Sequence, residues 1–388
     1  MPATSTTYAI PLHRPPFEDA DAQVLVAALK DGLLTGDGAA NQRLAQAAQR
    51  TLGCHRAYAT PSGTHALELM MRALPLAPGD EVICPSFTFV SVANAIILAG
   101  GTPVFADVEA ATLNLDPGSV QQHVSTRTRA IVTGHYGGIA FGLETLESLA
   151  ASRDIALLED AAHALGGSYR GRPLGTWGRA AAFSFHGTKN LVAGEGGMFV
   201  TTDATLAARA EIIREKGTDR SRFLRGDVDR YTWQAVGSSY LMSDILAALI
   251  LAQWTRIDAI TAARRERFDT YQQACAPLAA AGHLTRPTVP DGCDPAYHIY
   301  YLLVDTKATR DRLVAWMRER GVEASSHFVP LHLSPYAVNT LGTRQGLCPV
   351  TESVADQLVR LPLYPALSPA DQQTVTDHVS SFFGRSGT

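Results

Sequence analysis

Two residues set the chemistry this chain can carry. Lys189 stands in Phe183-Ser-Phe-His-Gly-Thr-Lys-Asn190, just before the glycine-rich turn Gly194-Glu-Gly-Gly197. Upstream, Asp160 closes the apolar run Ile155-Ala-Leu-Leu-Glu-Asp160. A lysine and a strand-end aspartate, each beside a small-residue turn, form the pair that pyridoxal phosphate requires. The amine bonds to the cofactor aldehyde, and the carboxylate keeps the pyridine nitrogen protonated so that the ring accepts electrons. Burial would lower the lysine pKa and supply the free amine that this chemistry uses.

Other residues fit around that pair. Pro61-Ser-Gly-Thr-His65 opens a helical pattern, and free amides at a helix start with a glycine and a hydroxyl beside them suit a phosphate. Gly63 and Thr64 are the candidates there, with Ser184 as a further hydroxyl. Of Phe87 and Phe89, one is expected to face outward and stack on a ring. His163 follows Asp160 by three residues and would share its helical face. Each has a plainer reading: Asp160 as a helix N-cap, His163 as a core histidine, Ser184 as a buried serine bonded to backbone, and either Phe as core.

These side chains need a scaffold. Apolar, β-rich runs lie at 81–85, 103–108, 130–133, 155–158, 181–185 and 198–202, with helical patterns such as 64–74 and 143–153 between them. Continuous apolar strands alternating with helices predict an α/β fold with a mostly parallel sheet, buried on both faces. Ligands of such sheets sit at the carboxyl ends of the strands, where Asp160 and His186 fall. Residues 217–235 are polar, glycine-punctuated and aromatic, which predicts a long functional loop. Its Arg220, Arg222, Arg225, Arg230 and Tyr231 are candidates for holding a nucleotide diphosphate. The interleaved Asp219, Asp227 and Asp229 fit a solvated loop equally well. A long helix is expected from Ser243 to Ala274, with Ser243 or Asp244 capping it, followed by a second α/β region. The expected boundary near residue 255 divides 1–254 from 255–388.

Composition sets bounds. The chain has 388 residues, 46% apolar and 18% charged, with a net charge of −4 and no run of one sign. That length allows two domains, and the charge argues against a general nucleic-acid binder. Five scattered cysteines without a CxxC pair suggest free thiols rather than a disulfide framework or a zinc site. Met1–Tyr8 does not read as a signal peptide, and no apolar stretch reaches the roughly 20 residues that a membrane span needs. The expectation is a cytoplasmic protein.

Pro61-Ser-Gly-Thr-His-Ala-Leu67, Pro85-Ser-Phe-Thr-Phe-Val90, Glu159-Asp-Ala-Ala-His163 and Phe183–Asn190 together, in order and separation, resemble the DegT/DnrJ/StrS sugar aminotransferases. The likeness runs from Ile10 to Phe383. It implies an aspartate aminotransferase-like fold of type I, with a large domain and a smaller C-terminal one, and a homodimer with shared active sites. It also implies pyridoxal phosphate bonded to Lys189, with Asp160 on the pyridine nitrogen and His163 near the ring. Gly63, Thr64 and Ser184 fall on phosphate positions and Phe89 on the stacking position. Segments 211–223, 225–233 and 237–244 resemble the branch that transfers an amino group from L-glutamate to dTDP-4-keto-6-deoxy-D-glucose. Many members carry an asparagine, reaching the partner's phosphate, where this chain has Ser239; the shorter side chain either falls short of that phosphate or reaches it through a water. A dehydratase branch carries histidine in place of the lysine, so Lys189 argues for transamination. A 3-keto or UDP-linked sugar, or a non-catalytic regulatory relative, remain the alternatives.

Overall fold

A computed structural model describes residues 8–32 and 34–385. Of the N-terminal stretch read as lacking a signal, only Tyr8 falls among them. The main sheet has seven strands: β1 (Arg56–Thr60), β2 (Glu81–Pro85), β3 (Thr102–Ala106), β4 (Thr128–Gly134), β5 (Ala156–Asp160), β6 (Ala180–Ser184) and β7 (Gly197–Thr201). Their order is β1-β7-β6-β5-β4-β2-β3, and only β7 runs against the rest. Six of these match the apolar runs of the sequence. β1 was not anticipated: Arg-Ala-Tyr-Ala-Thr is too short and mixed to stand out, and its pairing along the whole of β7 makes it a strand.

Helices cover both faces, as a sheet buried on both sides demands. Those used below are α1 (Asp19–Asp31), α2 (Ala39–Leu52), α3 (Gly63–Ala73) and α4 (Leu143–Ser152). α3 packs against β6 and β7 through Ala66, Leu67, Leu69, Met70 and Ala73. The Ser62 hydroxyl caps it by accepting from the His65 amide at 3.1 Å.

The single long helix expected over 243–274 is two: α5 (Asp244–Trp254) and α6 (Ile257–Ala274), bent by 63°. Two interactions explain the break. The Thr255 hydroxyl turns back to donate to the Ala252 carbonyl at 2.8 Å. Arg256 is pulled out of helical geometry to pair with Glu18 and with Asp21 at 2.7 Å, at the start of α1. Neither expected residue caps α5 through its side chain. Ser243 donates to the Leu34 carbonyl at 2.9 Å. Asp244 instead caps α2, accepting from the amides of Ala40 (3.0 Å) and Asn41 (2.8 Å).

Beyond α6, β8 (Tyr300–Leu303) pairs antiparallel with β9 (Leu358–Leu361), flanked by α7 (Lys307–Glu319) and α8 (Pro369–Arg385). This part has its own apolar core, including Phe268, Tyr271, Tyr300, Leu313 and Val375, and Ile10 joins it from the opposite end of the chain. Among the described residues no single helix is long and apolar enough to cross a membrane.

Candidate active site

The carboxyl ends of β2, β4, β5 and β6 open on a cavity of about 480 Å3, lined by Gly63, Thr64, Phe89, Asp160, His163, Ser184 and Lys189 among others. Seven of the expected site residues thus meet in one place.

Lys189 reaches it because the chain folds back after β6. The Phe185 amide donates to the Gly196 carbonyl at 2.8 Å, that of Gly187 to Gly194 at 2.9 Å, and that of Lys189 to His186 at 2.9 Å. Its neighbour Asn190 is pinned from the C-terminal part: the amide nitrogen donates to the Ala296 carbonyl at 2.7 Å, and the amide oxygen accepts from His298 Nδ1 at 2.9 Å. Burial lowers the Lys189 pKa to about 8; the Asp160 charge opposes this and Arg360 adds to it.

Asp160 ends β5, and a turn follows it in place of the expected helix start. The Ala162 amide donates to its carboxylate at 3.2 Å, and the Ala164 amide to the Ala161 carbonyl at 3.0 Å. The helix-cap reading therefore does not hold, and His163 reaches the cavity on a turn. Burial raises the Asp160 pKa, while the Ala162 amide, Lys189 and the Thr88 hydroxyl favour its charged form. A cation set against it would do the same. Behind Asp160, Glu159 is wholly buried. It accepts from the Gly175 (2.8 Å) and Gly178 (2.7 Å) amides and from His135 Nε2 at 2.8 Å.

A phosphate cradle lies at the start of α3. A Cβ on Gly63 would stand 2.8 Å from Ser184 Cβ and 3.0 Å from its Oγ. Glycine therefore lets the helix start and the end of β6 close together, leaving first-turn amides and two hydroxyls for an anion. The Thr64 hydroxyl is held 2.7 Å from that of Ser91. This donor set fits the phosphate of pyridoxal phosphate, and Lys189 and Asp160 fit its two reactive ends.

The aromatic pair divides as expected. Phe87 is 3% exposed and packs in the core, whereas Phe89 is 57% exposed at the cavity mouth. His163 is one of a stack of rings, its centroid 4.2 Å from His298, 6.2 Å from His327 and 6.5 Å from Phe328. Burial holds the imidazoles of His163 and His298 well below their ordinary pKa. His298, His327, Tyr136, Thr88 and Asn190 were missed by sequence reasoning. The Thr88 signal was present in Phe87-Thr-Phe89, and Asn190 adjoins the lysine. His298 and His327 arrive from beyond residue 255, with no local pattern pointing to Lys189.

The substrate-loop candidates lie elsewhere in this chain. Residues 217–236 form a mostly exposed excursion with one short helix, Arg220–Leu224. Gly217 closes it with φ +76, where any Cβ would overlap the Ala235 carbonyl. Arg220 pairs with Glu215 at 3.0 Å, Arg225 with Glu211 (2.7 Å) and Asp227 (3.1 Å), and Arg230 with Asp229 at 3.6 Å. Arg222 is exposed. Arg220, Tyr231 and Ser239 line a second depression, apart from Lys189. Within one chain, neither the arginines nor Ser239 join the cavity.

The family model of the DegT/DnrJ/EryC1/StrS aminotransferases matches residues 16–380. The chain belongs to this family. The aminotransferase is 34% identical over 377 residues, 95% of its length and 96% of the relative's, to the spore coat polysaccharide biosynthesis protein SpsC of Bacillus subtilis. It superposes on the aminotransferase TlmJ from Streptoalloteichus hindustanus with a TM-score of 0.89 at 31% identity, covering 98% of this chain and 100% of that one. DesV of S. venezuelae, solved in complex with a ketimine intermediate, gives 0.86 at 29% identity, with 94% of each chain covered. The chain is a pyridoxal phosphate-dependent sugar aminotransferase.

Proposed function

We propose that the aminotransferase moves the amino group of L-glutamate to carbon 4 of dTDP-4-keto-6-deoxy-D-glucose. The products would be dTDP-4-amino-4,6-dideoxy-D-galactose and 2-oxoglutarate. The observation that carries the transfer reaction is the meeting of a buried Lys189, Asp160 and the Gly63–Ser184 cradle in one cavity. The choice of sugar is supported by segments 211–223, 225–233 and 237–244, and surface-polysaccharide synthesis by the likeness to SpsC.

When bound, pyridoxal phosphate supplies an electron sink next to the reacting carbon. Gly63, Thr64 and Ser184 would hold its phosphate, Asp160 its ring nitrogen, and Phe89 and His163 its faces and edge. Lys189, as a free amine with a pKa near 8, takes the α-proton of the donor amino acid. In the second half-reaction it returns a proton to carbon 4 of the sugar. Because one amine serves both steps from a fixed side, the face of that delivery sets the configuration of the new amine. The neutral imidazoles of His163 and His298 put no competing cation beside Lys189.

We further propose a cytoplasmic homodimer in which the loop 217–239 of one copy, with Arg220, Arg222, Arg225, Arg230, Tyr231 and Ser239, completes the cavity of the other. Phe223 (39%), Leu224 (63%), Trp233 (77%) and Val236 (72%) are exposed along this loop, and a second copy would cover them. The division into 1–254 and 255–388 is proposed on the separate core of the C-terminal part.

The test is a half-reaction. The enzyme is treated with L-glutamate, freed of amino acid, and given dTDP-4-keto-6-deoxy-D-glucose. Return of the original visible spectrum, with an axial 4-amine in the NMR spectrum of the product, supports the proposal. Failure of the spectrum to return rejects this sugar. Lys189→Ala should abolish both halves in a folded protein.

A further inference from the structure

Lys189 and His163 reach the cavity on separate turns, yet one buried side chain behind it touches the support of both. His298 lies in the segment just before β8 and does not line the cavity itself. Its Nδ1 is 2.9 Å from the side-chain oxygen of Asn190, the residue after Lys189. Asn190 in turn donates its amide nitrogen to the Ala296 carbonyl at 2.7 Å. A backbone carbonyl can only accept, so this fixes which way round the Asn190 amide stands, and His298 must donate to its oxygen. Burial disfavours the charged imidazole, and the neutral ring therefore carries its proton on Nδ1. The same ring lies against His163, with centroids 4.2 Å apart and planes inclined by 33°.

The segment carrying His298 is held from several sides. In the turn after β4, the Gly138 carbonyl accepts from the Ala296 amide at 3.0 Å and the Gly137 carbonyl from the His298 amide at 2.9 Å. Between those two bonds Tyr297 takes φ +49, a left-handed conformation that is costly for a bulky side chain. With that twist in place, the Ala296 carbonyl and the His298 ring meet the same asparagine. Arg264 of α6 secures it from behind, Nη1 donating to the carbonyls of Tyr297 (3.4 Å), His298 (3.3 Å) and Leu363 (3.2 Å). Gly138 has φ +82, and a Cβ there would stand 2.8 Å from both the His163 carbonyl oxygen and Ala296 Cβ. Glycine thus lets the turns after β4 and β5 close on residues 296–298. Strain kept beside an active site points to a demand on position. The demand here falls on the main chain of Lys189, tied on one side by its own amide to His186 and on the other through Asn190.

We propose that His298 is a positioning residue for the bond between Lys189 and the cofactor: its Nδ1–H sets Asn190, and through it the lysine main chain, while its ring backs His163. It acts through these two neighbours and touches no reacting atom. The inference rests on Lys189 as the amine that bonds the cofactor, and it is independent of which amino donor and which sugar the enzyme takes.

Two substitutions divide the two contacts. His298→Phe keeps a ring against His163 and loses the donor; His298→Asn loses the ring and keeps an amide that can donate to Asn190. Full-length wild type, both variants, Asn190→Leu and His298→Phe combined with Asn190→Leu are stripped of cofactor. Pyridoxal phosphate is returned at a series of concentrations, and the visible absorption gives a limiting rate, a half-saturation and a final band; thermal unfolding is recorded without cofactor. In His298→Phe the limiting rate should fall about tenfold to a hundredfold, with half-saturation unchanged because the phosphate cradle is untouched, and the band in place. In His298→Asn most of the rate should return and the band should shift. Adding His298→Phe to Asn190→Leu should cost no further rate. A limiting rate in His298→Phe within about twofold of wild type overturns the inference, as do equal losses in His298→Phe and His298→Asn, or losses that multiply in the double variant. A lowered melting temperature with an intact limiting rate marks a structural histidine and overturns it too. If His298→Phe does not fold, an unshifted band in His298→Asn overturns it. A visible band that still forms in Lys189→Ala rejects the lysine assignment, and this inference with it.

Discussion

The pKa of Lys189 is the quantity on which the proposed chemistry most depends, and pH is the perturbation that reads it. Burial brings the amine from 10.5 to about 8. At pH 7.5 a lysine with that pKa is about one quarter uncharged, against about one part in a thousand for an exposed one. The gain in reactive amine is more than two orders of magnitude. The assay strips the enzyme of cofactor and follows the visible absorption that appears when pyridoxal phosphate is returned across pH 6.5–10. The rate should rise with pH and level off just above 8. Two variants test the cause. The Asp160 charge raises the Lys189 pKa and that of Arg360 lowers it, so Asp160→Asn should shift the midpoint down and Arg360→Met should shift it up. Linkage supplies an independent check. A lysine whose pKa is depressed in the folded state holds fewer protons there than in the unfolded chain between pH 8 and 10.5, so stability should rise with pH in that window. The full difference is about 3 kcal/mol from 2.5 units, and partial solvent access to the side chain reduces it. Lys189→Met should therefore make the cofactor-free protein more stable at pH 7, with the advantage shrinking above pH 8. A recombination midpoint above about 9.5 would refute the reasoning from burial.

Three further outcomes are expected. Gly63→Ala places a methyl 2.8 Å from Ser184 Cβ; it should open the phosphate cradle and weaken cofactor retention at least about tenfold, measured as cofactor release on dialysis, with the fold unchanged by circular dichroism. Asp244→Ala leaves the Ala40 and Asn41 amides at the start of α2 without their acceptor and should cost about 2–4 kcal/mol in denaturant unfolding, whereas Asp244→Asn should cost less. Glu159→Gln replaces an acceptor of two amides and a histidine N–H with a group that must turn a donor toward one of them. About 3 kcal/mol should be lost, and an unfolding midpoint unchanged from wild type would show that these three hydrogen bonds do not hold the fold.

Much of this architecture was legible in the sequence because it rests on local rules. Apolar runs buried on both faces read as parallel strands wherever they occur. The helix start at Ser62-Gly-Thr64 declares itself through its own cap. Asp160 and Lys189 each follow such a strand, so their place at its carboxyl end follows from position along the chain. Tertiary structure decided the remainder, since those choices were settled between distant segments. The break at Thr255 depends on Glu18 and Asp21, more than two hundred residues away, competing for Arg256. Asp244 has the side chain of a helix cap, but which helix it caps was fixed by the approach of α2. β1 has little strand character of its own and exists as the partner of β7. His327 reaches the cavity, and His298 comes to stand against His163, only because the C-terminal part folds back onto the loops of the large sheet. Sequence periodicity reports which face of an element is apolar. It carries no record of which distant polar group will stand opposite, and the charge balance around Lys189 was set there.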